Sequence, residues 1–344
     1  MLVMPRLSLY VSVILVCCLI ALPAFGSQDY LIKRSQMLMG TLVFVTAVAP
    51  EDKVAQQSTT AAFAEIKRLE HLWSTWIPSS ELSRVNTAAG QHPVGVNHET
   101  LNLLKQSLKM ARLTEGGFNI AIGPAVAAWN VSKTGRIPDQ RELDAVRPLI
   151  DLSHIQIDQK KSSVYLTQPG MQIDIGGIGK GFAADLAVKA MQKAGATAGV
   201  VALSGDIKTF GLMPDHHRFL FGIQHPRKQQ GVVVATIELE NEAVSTAGDY
   251  QRFFMVDGVR YHHILDPTTL QPSRQSQSVT VIARDGVTAD GLDTGIFVMG
   301  PQKGMALIER LPGVEGVIID RTGKLQISSG LQGRLQGPDF SSHH

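Results

Sequence analysis

Three short stretches of this chain combine residue types able to do chemistry. The first is Asp174-Ile-Gly-Gly-Ile-Gly-Lys-Gly-Phe182. Glycines between a strand and a helix let the backbone approach an anion, and a helix N-terminus offers N–H groups to a phosphate. It is not a Walker A loop. Asp174 stands six positions before Lys180 where that motif has Gly, and Gly181 replaces its Ser/Thr. The spacing Gly177-x-Gly179 followed by Gly181 also departs from the dinucleotide fingerprint. On glycine content alone, a phosphate site and a plain tight turn fit equally well.

The second stretch is Ala289-Asp290-Gly-Leu-Asp293-Thr294. On a helix, Asp290 and Thr294 are i and i+4 and share a face, with Asp293 beside them. Carboxylate and hydroxyl oxygens suit a hard cation, Mg²⁺ before Ca²⁺. Read alone, a capped helix start with a solvated acidic face is the simpler account. The third is Tyr261-His262-His263-Ile264-Leu265-Asp266-Pro267. An imidazole beside a turn can act as a base near neutral pH. A surface His pair before a β-turn is the simpler account of this stretch alone. Adjacent histidines in a strand point to opposite faces, so at most one serves a given site. Smaller pieces, each a plausible turn or strand edge, are Met39-Gly-Thr41, Trp73-Ser-Thr-Trp76, Gly116-Gly-Phe-Asn119, Ser204-Gly-Asp206 and Ser245-Thr-Ala-Gly-Asp249. Trp73 falls on an apolar helix face and reads as core. Trp76 lies past the last turn, free to stack on a flat ring.

The elements that must hold these residues are read from periodicity. Strands are expected at 40–48, 155–157, 163–166, 171–175, 199–203, 219–224, 232–239 and 278–283. Helices are expected at 54–75, 98–114, 182–193 and 289–299. The segment 116–140, punctuated by Gly and Pro, reads as a functional loop or lid. The tail from about 329 lacks periodicity and reads as mobile. Irregular alternation with hairpin-connected strands favours α+β: mixed, largely antiparallel sheets flanked by helices in one large two-lobed domain over 27–344.

The chain has 344 residues, 44% hydrophobic and 18% charged, enough for a sizeable core. A net charge of +2 provides no basic field for nucleic acid, so no nucleic-acid partner is expected. The 32 glycines and 16 prolines argue against a coiled coil. Arg6 precedes an uncharged, largely apolar run from Leu7 to Phe25 that exits at Ala24-Phe25-Gly26. This predicts a signal peptide over 1–26, and export to the periplasm or its face of the inner membrane. An uncleaved anchor is the competing reading, so membrane association through this segment, or through a membrane-bound acceptor, is compatible with it. Both cysteines, Cys17 and Cys18, lie in the leader. The remainder therefore has no disulfide, no thiolate metal site and no cysteine nucleophile.

Taken together and in order, these motifs resemble the ApbE-like family of FAD:protein FMN transferases over Met39 to about Pro312. The match comprises Met39-Gly-Thr41, Ser74-Thr-Trp76, Ser80-Glu-Leu-Ser-Arg84, Gly116-Gly-Phe-Asn119 with Gly123-Pro124, Asp174 to Gly181, His263 to Pro267, and Asp290 with Thr294. Asn119 departs from a common Asp, and Leu270 from a glycine. Ser204-Gly-Asp206 has one glycine where the family often has two. The resemblance implies an Mg²⁺-dependent enzyme that takes FAD as substrate and joins FMN, through a phosphoester, to a Thr or Ser of an extracytoplasmic redox protein. By the same resemblance, Gly177 offers a backbone carbonyl to Mg²⁺, with Asp290, Thr294 and Asp293 as side-chain ligands. Met39, Trp76, Gly117, Phe118, Asn119, Asp174, Lys180 and His263 contact FAD, and His263 assists transfer. The alternatives are an FAD pyrophosphatase releasing FMN and AMP, a flavin-binding protein without turnover, and a nicotinamide oxidoreductase, against which the glycine spacing argues.

Overall fold

The computed structural model describes residues 29–337. The expected leader lies outside them. Eight antiparallel strands form the main sheet: β1 (Tyr30–Leu38), β2 (Thr41–Ala49), β3 (Ala198–Leu203), β4 (Asp206–Phe210), β5 (Ala243–Gly248), β6 (Ser276–Ala283), β7 (Glu315–Asp320) and β8 (Leu325–Ile327). Their order across the sheet is their order along the chain. The β1–β2 turn is Met39-Gly40, both at positive φ (50° and 69°), the conformation a two-residue hairpin requires. The β3–β4 turn is Ser204-Gly205, and Ser204 adopts φ 61° where a second glycine would be unstrained.

Among the described residues, eight α-helices accompany the sheet: α1 (Asp52–Trp73), α2 (Glu81–Thr87), α3 (His98–Leu113), α4 (Gly123–Trp129), α5 (Gln140–Val146), α6 (Gly179–Lys193), α7 (Gly286–Met299) and α8 (Pro301–Arg310). The principal core joins β2, β3 and β6 to α1, α3, α6 and α7. Trp73 lies there, stacked on Phe182 at 5.6 Å, with its indole N–H donating to Thr100 Oγ1 at 3.0 Å. A second cluster packs the strands Phe219–Gln224 and Val233–Leu239 on Val244, Ile282 and Val317. A third, smaller cluster gathers Trp129, Leu143, Leu265 and Leu270.

The α+β reading with antiparallel sheets stands, but four local expectations fail. Residues 171–175 join no sheet. They are hydrogen-bonded by Asn86, whose amide brackets Ile173, and by the Ile120 carbonyl. Segment 116–140 is not loop throughout, because α4 interrupts it and ends at the fully buried Trp129. The tail from 329 is ordered through Gln336: Leu331 and Leu335 are buried, and Leu335–Gln336 pairs with Thr236–Ile237. Helices α6 and α7 begin three residues earlier than their apolar periodicity indicated. No helix among the described residues is long and apolar enough to cross a membrane.

Candidate active site

The glycine turn serves helix packing first. Asp174 Oδ1 accepts the Gly176 N–H at 2.6 Å, which folds the chain into the first turn of α6. There Gly181 crosses α7. A Cβ on Gly181 would collide with the Gly286 carbonyl oxygen. The Gly181 N–H donates to Asp290 Oδ2 at 2.8 Å, so the anion at this helix N-terminus is the protein's own carboxylate. Gly177 lies directly over α7: a Cβ there would stand 2.8 Å from Thr294 Oγ1.

Asp290 and Asp293 are 3% and 2% exposed, so the helix face is buried, not solvated. Asp206, the first residue of β4, joins them. One oxygen from each of the three carboxylates lies within 4.8 Å of the others. Lys180 reaches across from α6 and is ion-paired with Asp206. Ser245 Oγ, from β5, lies between Asp206 Oδ1 and Asp293 Oδ2, the latter at 2.7 Å. A hydroxyl carries one proton and donates to one of them, so a proton or a cation must relieve the other. Thr294 Oγ1 donates to Asp293 Oδ1 at 3.1 Å.

Desolvation and the neighbouring Asp206 push Asp290 up to about 7. Burial, with Asp290 and Asp206 nearby, lifts Asp293 well above the usual carboxylate range. Burial alone would lower Lys180, but Asp206 and Asp290 hold it above the usual lysine value.

The histidine pair divides as alternation requires. His262 is buried. Its Nε2–H donates to the Ser273 carbonyl at 2.7 Å and its ring meets the Phe297 edge, and burial lowers its pKa to about 4. His263 faces the cleft. Its Nδ1–H donates to the Arg252 carbonyl at 3.2 Å. Burial, with Arg252 and His262 alongside, holds its pKa well below the usual value. This is a neutral imidazole with Nε2 free to accept a proton.

These groups line one open cleft, with about 890 Å³ of non-atom space including its solvent-open mouth. Gly117, Phe118, Asn119, Asp174, Gly177, Lys180, His263, Asp290, Asp293 and Thr294 all border it. The Asn119 amide is already used, with Oδ1 accepting from Ala121 N and Nδ2 donating to the Ile150 carbonyl. Met39 and Trp76 do not border the cleft. Met39 occupies the β1–β2 turn with its N–H on Glu70, and Trp76 is 69% exposed beneath the Lys133 ammonium at 4.2 Å. Two cleft residues carry a role that their local sequence did not reveal. Asp206 read as a turn residue, and Arg252 belonged to no motif.

With all four lining carboxylates ionised, Asp174, Asp206, Asp290 and Asp293 against Lys180 and Arg252 would give the wall two negative charges, a surplus that the raised values of Asp290 and Asp293 show must be met by protons or a cation. All-oxygen donors with that surplus fit a divalent cation of the Mg²⁺ kind.

The ApbE family model matches residues 39–318. A Treponema pallidum protein named FAD:protein FMN transferase is 31% identical over 344 residues, 94% of each chain. One of the same name from Vibrio cholerae is 36% identical over 240 residues, 69% of this chain and 71% of its own. Among solved structures, the ApbE protein of Thermotoga maritima superposes with a TM-score of 0.81 at 30% identity, covering 89% of this chain and 99% of its own. The flavin transferase ApbE of Vibrio cholerae does so with a TM-score of 0.78 at 30% identity and the same coverage.

Proposed function

The chain belongs to the ApbE family, and on that premise we propose that its cleft transfers FMN from FAD to a hydroxyl of an acceptor protein. The observation that carries this reading is the juxtaposition of a buried, electron-rich carboxylate triad with a neutral histidine in one cleft. Asp206, Asp290 and Asp293, with Thr294 and the Gly177 backbone beside them, would hold Mg²⁺. Bound there, the ion would neutralise diphosphate oxygens and stabilise the charge that develops during transfer.

The residues themselves do the rest. His263 Nε2 takes the proton from the acceptor Thr or Ser hydroxyl. That oxygen bonds to the phosphorus of the FMN half, the bond to the AMP oxygen breaks, and AMP leaves. Lys180 keeps Asp206 in place and tempers the charge of the triad. The close glycine contacts of α6 with α7 fix the carboxylates before substrate arrives. The apolar leader supports an acceptor outside the cytoplasm, on a redox protein of the periplasm or the membrane facing it.

The test mixes the full chain, FAD, MgCl₂ and an acceptor domain with a flavinylation threonine. Mass spectrometry should find one FMN on that threonine and an equal amount of AMP. Release of free FMN and AMP with an unmodified acceptor would instead establish a pyrophosphatase.

A further inference from the structure

We propose that Arg252 clamps the diphosphate of the nucleotide, through the oxygens that face away from the carboxylate triad. The proposal rests on the flavin-transfer reading and adds to it a residue outside every motif of the sequence.

Arg252 lies at the base of a hairpin whose strands are Phe253–Val256 and Val259–His262. Its carbonyl accepts from both the backbone N–H and the Nδ1–H of His263, each at 3.2 Å. The residue that orients the histidine therefore also borders the cleft. Its side chain has little of the protein to hold. The one hydrogen bond the guanidinium makes among the described residues is a long one, Nη1 to Ser132 Oγ at 3.4 Å. No carboxylate of the described residues pairs with it, although Asp174 and Asp206 act on it from a distance.

Its neighbours are committed. Lys180, the other basic residue of the cleft wall, is neutralised by Asp206. Arg227 and Arg260 both grip Asp249, at 2.6 and 3.0 Å, which pins the far side of the hairpin. Arg252 is thus the cleft cation whose fork of donors lacks an anion. Its surroundings lower its pKa by desolvation, yet the residue itself is exposed at the cleft, so its donors are open to an anion. A planar fork matches two oxygens of a phosphate where an ammonium offers a point charge. A cation held by the triad would take one side of a diphosphate and leave the other side to Arg252.

The experiment titrates ADP, AMP and adenosine into the full-length wild type, R252K and R252Q by calorimetry, with MgCl₂ and with EDTA. R252Q should weaken ADP binding by about tenfold or more, leave adenosine within about twofold, and keep the wild-type Tm. R252K should fall between, since it keeps the charge and loses the fork. ADP binding within about twofold of wild type in R252Q overturns the proposal. So does an equal loss for adenosine and ADP, which would mark Arg252 as a structural prop for the Ser132 loop. Should R252Q fail to fold, R252K decides: ADP weakened by about threefold or more with adenosine unchanged supports the clamp, and unaltered ADP binding overturns it. A wild type that binds no FAD and labels no acceptor would refute the flavin-transfer reading itself, and that result is separate from any difference between the variants.

Discussion

The Asp290 carboxylate accepts the Gly181 N–H through one oxygen and adds its charge to a buried triad. Its environment is therefore tolerable only with a proton or a cation present. Asp290→Asn preserves an oxygen for Gly181 and removes the charge. It should cost at least about 10²-fold in transfer rate while leaving the Tm near wild type. Loss of fold in this variant, or retention of full rate, would contradict the assignment. The same group sets a pH dependence. Its folded pKa, about 7, lies above its unfolded value, so the folded state binds more protons between roughly pH 4 and 7. The share of the metal-free protein's stability due to Asp290 is therefore lost as pH rises through that window, against an opposite contribution from His262 and His263, whose folded values lie below the usual one. Added MgCl₂ competes with those protons, so it should raise the Tm more at pH 8 than at pH 5.5. Thermal melts across pH with EDTA or MgCl₂, run on wild type beside Asp290→Asn, measure both effects, and a wild-type Tm that climbs with pH relative to that of the variant in EDTA would be the wrong sign. At this scale, the sequence displays what sits inside a local motif: Asp290, Asp293, Thr294, Lys180 and His263. Asp206 and Arg252 stayed hidden because their roles come from partners across the fold, Lys180 and Ser245 for one and an unneutralised cleft wall for the other.

The crossing of α6 on α7 makes those residues a site. Gly181 and Gly286 approach so closely that a methyl on either would meet the other's backbone. Gly117 likewise lies under α7, with a methyl there 2.7 Å from the Gly295 carbonyl. Two glycines of the Asp174–Gly181 run, Gly177 and Gly181, are therefore needed for contact between elements. Gly181→Ala should lower stability by about 3 kcal/mol and take transfer activity with it, because the Asp290 carboxylate is displaced along with its helix. Urea titration beside the transfer assay checks both, and a mutant that melts like wild type would show that the crossing is slack. Periodicity located α1 and α3, which each bury one regular face, to within a few residues, and β-branched runs located β2, β3 and β6, whereas β1, β4, β5, β7 and β8 of the main sheet escaped both signals. It failed where the reason for the structure is not periodic: residues 171–175 satisfied by Asn86, and α4, whose seven residues are too few to display a repeat.

Across the whole molecule, the sheet is a meander in chain order with its two faces covered by different material. Residues 329–336 close the second face, where Leu331 is fully buried beside Val317 and Leu335 pairs into the side sheet. A polar, glycine-rich stretch disguised this, because two leucines suffice when the surface they cover is already built. Leu331→Ala should cost about 3 kcal/mol, measurable as a fall in the denaturant midpoint, while the transfer rate of the folded fraction is unchanged. A neutral outcome would mean that the tail merely rests on the sheet.

The proposed function rests on the carboxylate triad and His263 serving transfer of a flavin phosphoryl group to a protein hydroxyl. Its most direct measurement is the stoichiometry of products from FAD, MgCl₂ and an acceptor domain, with wild type, Asp290→Asn and His263→Ala run side by side. Wild type should yield one covalently attached FMN for each AMP released, and both variants should yield neither at the wild-type rate. AMP appearing without flavin on the acceptor, or flavin attached at full rate by the variants, would contradict the account.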